Sequence, residues 1–482
     1  MSELHFRSAT ELTRALRHKE VSSVELLDHY LARVAKLNPR INAIVHLDAE
    51  RARERARAAD AALARGESWG ALHGLPITIK DSFEVAGMPC TSGAPELAKH
   101  VPGASADAAQ RLVDAGAVVF GKTNLPLYAG DFQSYNAVYG TTNNPWDVTR
   151  IPGGSSGGSA AALAAGLTGF ELGSDIGGSI RNPAHYCGVY GLKTSHGVVP
   201  IRGHIPGPPG TLAEGDLGVA GPMGRSAADL ALGLDVLGGP DASDATAWRL
   251  ALPPPRALRL GDLRVGVWLE DARGPVDAEV RDVLQNAVDA IAKAGARVDE
   301  KARPVDSGEQ HRSYIQLLNG VMGAGFPKEV IAAAEAAAAN LPASEDSTAA
   351  NSLRGLALRH REWLGLNERR TRLRAQWTSW FRDYDALLCP IMPTAAFPHD
   401  QREMNTRSMR INGKDEPYFQ LFWAGLAVNA YLPAAVAPAG RTPSGLPVGI
   451  QIVGPYLEDR TPVAIAAQLT DVLGGFTPPP GF

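Results

Sequence analysis

Residues 153–193 read GGSSGGSAAALAAGLTGFELGSDIGGSIRNPAHYCGVYGLK. Two Gly/Ser loops enclose an alanine-rich stretch at 159–165, which reads as a short helix, and an apolar stretch at 170–173, which reads as a strand. A flexible linker would contain neither, so this segment is folded. In the second loop, Gly173-Ser174-Asp175-Ile176-Gly177-Gly178-Ser179-Ile180-Arg181, the glycines let backbone N–H groups converge beside one hydroxyl. Such N–H groups can hold the oxyanion of a tetrahedral intermediate, which makes Ser179 a candidate nucleophile. Either loop alone reads better as a mere turn; their company with a strand-end lysine, Lys80, shifts the reading toward a site.

Outward from that segment, Leu75-Pro76-Ile77-Thr78-Ile79-Lys80-Asp81 reads as a strand, and 117–120 as another preceded by a helix over 105–115. Strands separated by helices imply a mainly parallel sheet. Ser22-Ser23-Val24-Glu25 is a capping box opening an amphipathic helix over 23–37, and an Ala/Arg-rich helix is expected over 48–64. The stretch 200–216, PIRGHIPGPPGTLAEGD, is too rich in Pro and Gly for regular structure and reads as a long surface loop at the pocket rim. Beyond ALPPPR at 251–256 come a strand (263–269), helices over 278–294 and 329–339, and two strands at 386–390 and 447–454. The expected fold class is α/β. It is one large domain with N-terminal helices (1–66), a core (72–225), a mainly helical flanking region (257–380) and C-terminal strands and a helix (381–482) completing the core.

Two motifs are decoys. Gly116 to Thr123 matches GxxxxGK[ST], but its four central residues are apolar and strand-like and Asn124-Leu125-Pro126 follows instead of a helix, so ATP use is not expected. Gly153-Gly154-Ser155-Ser156-Gly157-Gly158 matches GxSxG in two registers, which would require a strand-to-helix elbow and a histidine base. Pro152 and the paired glycines suit a loop better.

Composition narrows the function classes. The 482 residues are 45% hydrophobic and 20% charged, with 47 Lys plus Arg against 51 Asp plus Glu and a formal charge of −4. No basic run could track a phosphate backbone, so nucleic-acid binding is not expected. Cys90, Cys187 and Cys389 are far apart, odd in number and outside metal-ligand spacing, so they read as buried reduced thiols, and no metal is expected. The charged first twenty residues lack an apolar signal core and no run reaches ~18 apolar residues, so a cytoplasmic protein without membrane contact is expected.

Taken together, strand-end Lys80, GGSSGGSAAALAAG at 153–166 and GSDIGGSIRNPAHYCGVYGLK at 173–193 resemble the amidase-signature family, and the resemblance recurs in Gly445-Leu446-Pro447-Val448-Gly449-Ile450-Gln451. One departure is Gly191-Leu192-Lys193-Thr194-Ser195, where relatives usually carry proline after the lysine. The resemblance implies a mixed, mostly parallel twisted sheet covered by helices on both faces. It also implies a relay in which Ser179 is the nucleophile, Ser155 the bridging acid and base, and Lys80 the base. Ser155 would follow a cis peptide at Gly154-Ser155, and Ser156 would be a structural neighbour. The oxyanion hole would be formed by N–H groups of Ile176, Gly177, Gly178 and Ser179, while Asp175 and Arg181 read as a buried charge pair shaping the loop. A lysine acts as a base only when neutral; lowering its pKa from about 10.4 to near 7 corresponds to roughly 4–5 kcal/mol, which burial must supply.

The implied reaction is hydrolysis of an amide by water with no cofactor, on a small-molecule amide, anilide, ester or carbamate; a homodimer is a family-level expectation. The loop over 125–139, with Tyr128, Gly130, Asp131, Phe132 and Tyr135, and the region 317–326 are expected to line the pocket. The alternative is the glutaminase subunit of a tRNA-dependent amidotransferase. That subunit usually carries Asp-Glu-Phe soon after Gly-Lys-Thr-Asn, where this chain reads Leu125-Pro126-Leu127-Tyr128-Ala129-Gly130.

Overall fold

The structure, a computed structural model, describes residues 3–256 and 259–482. Residues 1–2 of the expected N-terminal segment and residues 257–258, where the flanking region is expected to begin, lie outside the described residues. The capping box at Ser22 is formed: its hydroxyl accepts from the Glu25 N–H while the Glu25 carboxylate accepts from the Ser22 N–H. The helix it opens, Ser23–Ile41, runs past the expected end at residue 37 and stops where Asn42 turns left-handed at φ 54°. The Ala/Arg-rich helix follows as Ala49–Ala64, burying Ala52, Ala56, Ala59 and Ala62 on one face.

Ile44–Leu47 (β1), Pro76–Lys80 (β2) and Val118–Thr123 (β3) form a small sheet in the order β1-β3-β2, with β2 and β3 parallel. Both β2 and β3 are buried along their whole length, which is why they read as apolar runs rather than as alternating patterns. The GKT of the phosphate-loop match lies inside β3, and the Lys122 amine donates to the Phe83 carbonyl at 2.6 Å, so its backbone is committed to a ladder instead of a phosphate cradle.

The main sheet has eight strands: Glu171–Asp175 (β4), Tyr190–Lys193 (β5), Val219–Gly224 (β6), Arg264–Val267 (β7), Arg297–Asp299 (β8), Ala386–Cys389 (β9), Ala434–Arg441 (β10) and Pro447–Val453 (β11). Their order is β8-β7-β9-β11-β10-β5-β6-β4. The sheet is mixed, as expected, but it is not mostly parallel. Only β8/β7 and β7/β9 pair parallel; the other five junctions are antiparallel. The helix-by-helix reading missed the tight return from β10 to β11 across residues 442–446, where Pro443 and Gly445 make a hairpin turn rather than a crossover.

Helices cover both faces of this sheet. On β11, Gly449 and Gln451 point toward helix Arg181–Cys187, bonded to His185 and Arg181 respectively. Side chains alternate along a strand, so Val448, Ile450 and Ile452 point the other way, into the main core. There the helices Ala278–Lys293 and Arg460–Leu473 pack on β10 and β11. Among the described residues, no helix is long and apolar enough to cross a membrane.

Candidate active site

β2 delivers Lys80 to the interior. Its amine is fully buried, 2.6 Å from Ser155 Oγ and 2.9 Å from Ser174 Oγ. β2 packs close to β4: the Thr78 hydroxyl donates to the Glu171 carboxyl, and Lys80, two residues further along β2, reaches Ser174, three residues beyond Glu171. Burial pulls Lys80 from its ordinary 10.5 down to about 7, against the opposing charge of Asp175 and, where it is ionised, of Glu171. Burial also pushes Glu171 up to about 8, despite hydroxyl donors from Thr78, Ser159 and Thr123, so near neutral pH it is largely an uncharged acid.

The first Gly/Ser loop holds Ser155. The Gly154-Ser155 peptide is cis. Gly154 lies directly on the 131–133 backbone: a Cβ there would come within 2.7 Å of the Phe132 carbonyl carbon, so only glycine fits. Ser134 clamps the loop, its hydroxyl donating to the Gly153 carbonyl at 2.9 Å and accepting from the Gly157 N–H at 3.1 Å, where the helix Gly157–Ala164 begins. Among the described residues no histidine bonds Ser155 or Ser156, and His185 is engaged elsewhere, its Nδ1 accepting from the Gly449 N–H and its Nε2 facing the Thr394 carbonyl, so the elbow with a histidine base has no geometry here.

The second loop is wound around Asp175. Its carboxylate accepts from the Gly178 N–H at 2.9 Å and the Ile180 N–H at 3.1 Å, and is gripped by Arg181 at 2.8 and 3.0 Å. Burial alone would raise the Asp175 pKa, but the Arg181 guanidinium and these N–H donors more than offset it, holding the group at about 2. Asp175 and Arg181 are thus bonded to each other and to the loop backbone. Gly178 takes φ 101°, and the turn it permits sets Ser179 in a buried position that keeps 9% exposure. The expected oxyanion hole needs one correction: the Gly178 N–H is committed to Asp175. The N–H groups of Ile176, Gly177 and Ser179 make no hydrogen bond inside the protein among the described residues.

The two loops are tied together by the Ser156 N–H, which donates to the Ser179 carbonyl at 3.0 Å. Ser156 itself is buried, with its hydroxyl directed at the Ser174 carbonyl at 3.4 Å. The Ser179 hydroxyl makes no hydrogen bond to another protein group among the described residues, so the link from Ser155 to Ser179 is not closed in this state. Catalytic hydrogen bonds often tighten only with substrate present.

Of the residues expected to line the pocket, Asp131 and Phe132 are placed elsewhere. Asp131 is buried, ion-paired with Arg407 at 2.6 Å and accepting from the Tyr418 hydroxyl at 2.5 Å. Phe132 packs on Tyr418 and Phe419, behind Gly154. The partner hairpin Ser408–Ile411 with Lys414–Pro417 lies far along the chain, and no local signal announced it. Tyr128, Gly130 and Tyr135 stay half-buried, the first bonded to Glu96 and the last to Arg407. In the region 317–326, Leu317 and Leu318 belong to a buried cluster with Tyr314, against which Val321, Met322, Ile176 and Leu421 also pack, and the Tyr314 hydroxyl donates to the Ile176 carbonyl at 2.9 Å. Leu421 and Tyr314 stand beside Gly177, whose added Cβ would lie 3.2 Å from Leu421 and 3.5 Å from the Tyr314 hydroxyl.

Sequence reasoning missed His204 and the part played by Ser174. His204, a lone histidine in the Pro/Gly-rich loop, brings Nε2 to 2.8 Å from Ser174 Oγ and packs its ring 4.7 Å from that of Phe83. No spacing in the sequence links residue 204 to residue 80.

The Amidase family model matches residues 25–462. The chain is 32% identical to one of the subunits of the glutamyl-tRNA(Gln) amidotransferase of Trichormus variabilis, over 95% of this chain and 96% of that protein. Among solved structures, one described as an amidase is 30% identical with a TM-score of 0.77, covering 97% of this chain and 100% of that one. A bacterial aryl acylamidase of the amidase-signature enzymes is 26% identical with a TM-score of 0.80, covering 97% and 96%.

Proposed function

The chain belongs to the Amidase family of amidase-signature hydrolases, and from that premise we propose that it cleaves carboxylic amides to acid and amine through an acyl-Ser179 intermediate. The observation that carries this reading is the buried Lys80 amine 2.6 Å from Ser155 Oγ, held at about 7 by burial, on the loop tied to Ser179. Neutral Lys80 takes the Ser155 proton as Ser155 takes that of Ser179, and the Ser179 oxygen attacks the carbonyl carbon. The resulting oxyanion is met by the N–H groups of Ile176, Gly177 and Ser179; one such donor is worth about 3 kcal/mol. Ser155 returns its proton to the departing amine and Lys80 reprotonates Ser155. Water then enters by the same relay, releasing the acid and restoring Ser179.

For the substrate, the apolar surface of Tyr314 and Leu421 beside Gly177 and Ile176 favours small or aryl amides with an uncharged acyl group, anilides among them. A second reading, a glutaminase subunit, is favoured by the names of the relatives aligned along nearly the whole chain. Glutamine would bring an ammonium and a carboxylate to the site, where they need charged partners. Asp175 with Arg181 and Asp131 with Arg407 are already paired with each other. The test is hydrolysis of a chromogenic anilide and of glutamine by wild type, Ser179→Ala and Lys80→Ala, with fluorophosphonate labelling of Ser179. Anilide turnover lost in Ser179→Ala and strongly reduced in Lys80→Ala is the expected result. Full activity in a folded Ser179→Ala variant sinks the mechanism, and glutamine turnover without anilide turnover selects the second reading.

A further inference from the structure

A hydroxyl has one proton to give, and Ser174 stands between two groups that could take it: Lys80 Nζ at 2.9 Å and His204 Nε2 at 2.8 Å. We propose that His204 is a positioning residue for Lys80, its Nε2 lone pair accepting a hydrogen bond from the Ser174 hydroxyl so that Ser174 can only accept from the lysine. This inference rests on the reading of Lys80 as the base. A neutral amine has two N–H bonds and one lone pair. With Ser174 confined to accepting, one N–H points to Ser174 and the lone pair is left for the Ser155 proton, the productive arrangement. With Ser174 free to donate, the lone pair turns to Ser174, an N–H faces Ser155, and the Ser155 proton has no acceptor.

Three observations place His204 in this role. The chain on either side of it is zipped to the segment following β2: the Glu84 N–H donates to the Gly203 carbonyl at 3.0 Å and the Ile205 N–H to the Ser82 carbonyl at 2.8 Å. This fixes residue 204 opposite Phe83, and the two rings pack together. An accepting Nε2 requires the proton on Nδ1, which makes no protein hydrogen bond among the described residues and is not a buried orphan, so water can satisfy it. Burial, and after it the charge of Lys80, hold the imidazole neutral at about 3, so the lone pair persists through the working pH range. The other ionisable groups around the pair are Asp175 and Glu171 on β4, which act on Lys80, and Asp81 with Lys122, which face each other at 3.5 Å.

The test compares His204→Phe, which keeps a flat ring on Phe83 but has no acceptor, with His204→Gln, whose amide oxygen can accept from Ser174. His204→Phe is expected to lower kcat for the anilide about tenfold, the scale of one misdirected hydrogen bond, with KM unchanged. Its acid limb moves to lower pH, because a donating Ser174 stabilises the neutral amine. His204→Gln recovers most of kcat and the wild-type limb. In a Ser174→Ala background the proton in question is gone, so adding His204→Phe costs nothing further, a comparison that holds even if one single variant folds poorly. A wild-type kcat and pH profile in His204→Phe, or equal and additive losses in the Phe and Gln variants, overturns the proposal. Turnover retained by Lys80→Ala overturns the underlying mechanism instead, which His204 variants alone cannot do.

Discussion

Replacing Lys80 by methionine removes a lysine that the fold holds neutral, and the consequence for stability can be worked through. In the unfolded chain this lysine titrates near its ordinary 10.5; in the fold it titrates at about 7. Between these values the unfolded state binds more protons than the folded state, so the wild type gains stability as pH rises through that window. The burial cost is fully present below about 7 and gone above the unfolded value. A shift of that size corresponds to about 4–5 kcal/mol. Lys80→Met escapes the cost but leaves the Ser155 and Ser174 hydroxyls without their amine partner, a loss of about 1–3 kcal/mol each. The absolute change at pH 7 is therefore small, whereas its pH dependence is large. From pH 7.5 to 9.5 the stability of wild type relative to Lys80→Met rises by about 2.5 kcal/mol, other titrations cancelling between the two proteins. Urea unfolding of both proteins at these pH values measures it, alongside anilide turnover, which the variant should lack. A stability difference that stays flat across that range would mean that Lys80 titrates as an ordinary lysine, and the argument for it as the base would fail.

Four further outcomes are expected. The kcat/KM for an anilide falls about tenfold per pH unit below about 7 as Lys80 becomes protonated, with no such limb from Lys193, whose amine is turned to the Leu432 and Thr194 carbonyls. Arg181→Met strands the buried Asp175 carboxylate and costs about 3–5 kcal/mol, read by denaturant unfolding, with turnover lost as the 175–181 loop relaxes. Gly154→Ala pushes a methyl against the Phe132 backbone, costing about 1–3 kcal/mol and displacing Ser155, so thermal unfolding and turnover should fall together. Glu171→Gln leaves the acid limb in place, because an uncharged Glu171 already acts on Lys80 as an amide would; a limb displaced by a full unit would show an ionised carboxylate there.

What was legible in the sequence was local in origin. The Ser22 capping box needs only four consecutive residues, and the helix Ser23–Ile41 formed where it pointed. The Asp175–Arg181 pair is likewise written within one loop, six residues apart, and the apolar runs of β2 and β3 declare two buried faces without help from partners. The direction of strand pairing was not local. β4, β5 and β6 follow one another in the chain, yet β4 pairs with β6 and β5 lies beyond it, all antiparallel, an arrangement that no periodicity in any one strand encodes. The roles of Asp131 and His204 were hidden for the same reason: one is decided by Arg407 and Tyr418, the other by Ser82, Phe83 and Glu84.

The remaining problem for such a site is to keep a lysine uncharged beside two carboxyl groups, since either one ionised and unanswered would pull a proton onto the amine. The fold treats the two differently. Glu171 sits among the hydroxyls of Thr78, Thr123 and Ser159 with no cation paired to it among the described residues, so burial keeps it protonated to about 8 and its charge is absent when Lys80 must be neutral. Asp175 is ionised, but Arg181 lies against it at 2.8 Å and the N–H groups of the nucleophile loop take up its lone pairs, so the carboxylate that shapes the turn around Ser179 opposes the neutral amine without overcoming its burial. Exchanging these solutions would not work: an arginine beside Glu171 would ionise it next to the amine, and a protonated Asp175 would release the Gly178 and Ile180 N–H groups that hold the turn. The placement of one cation, Arg181, thus sets both the shape of the nucleophile loop and the charge state of the base.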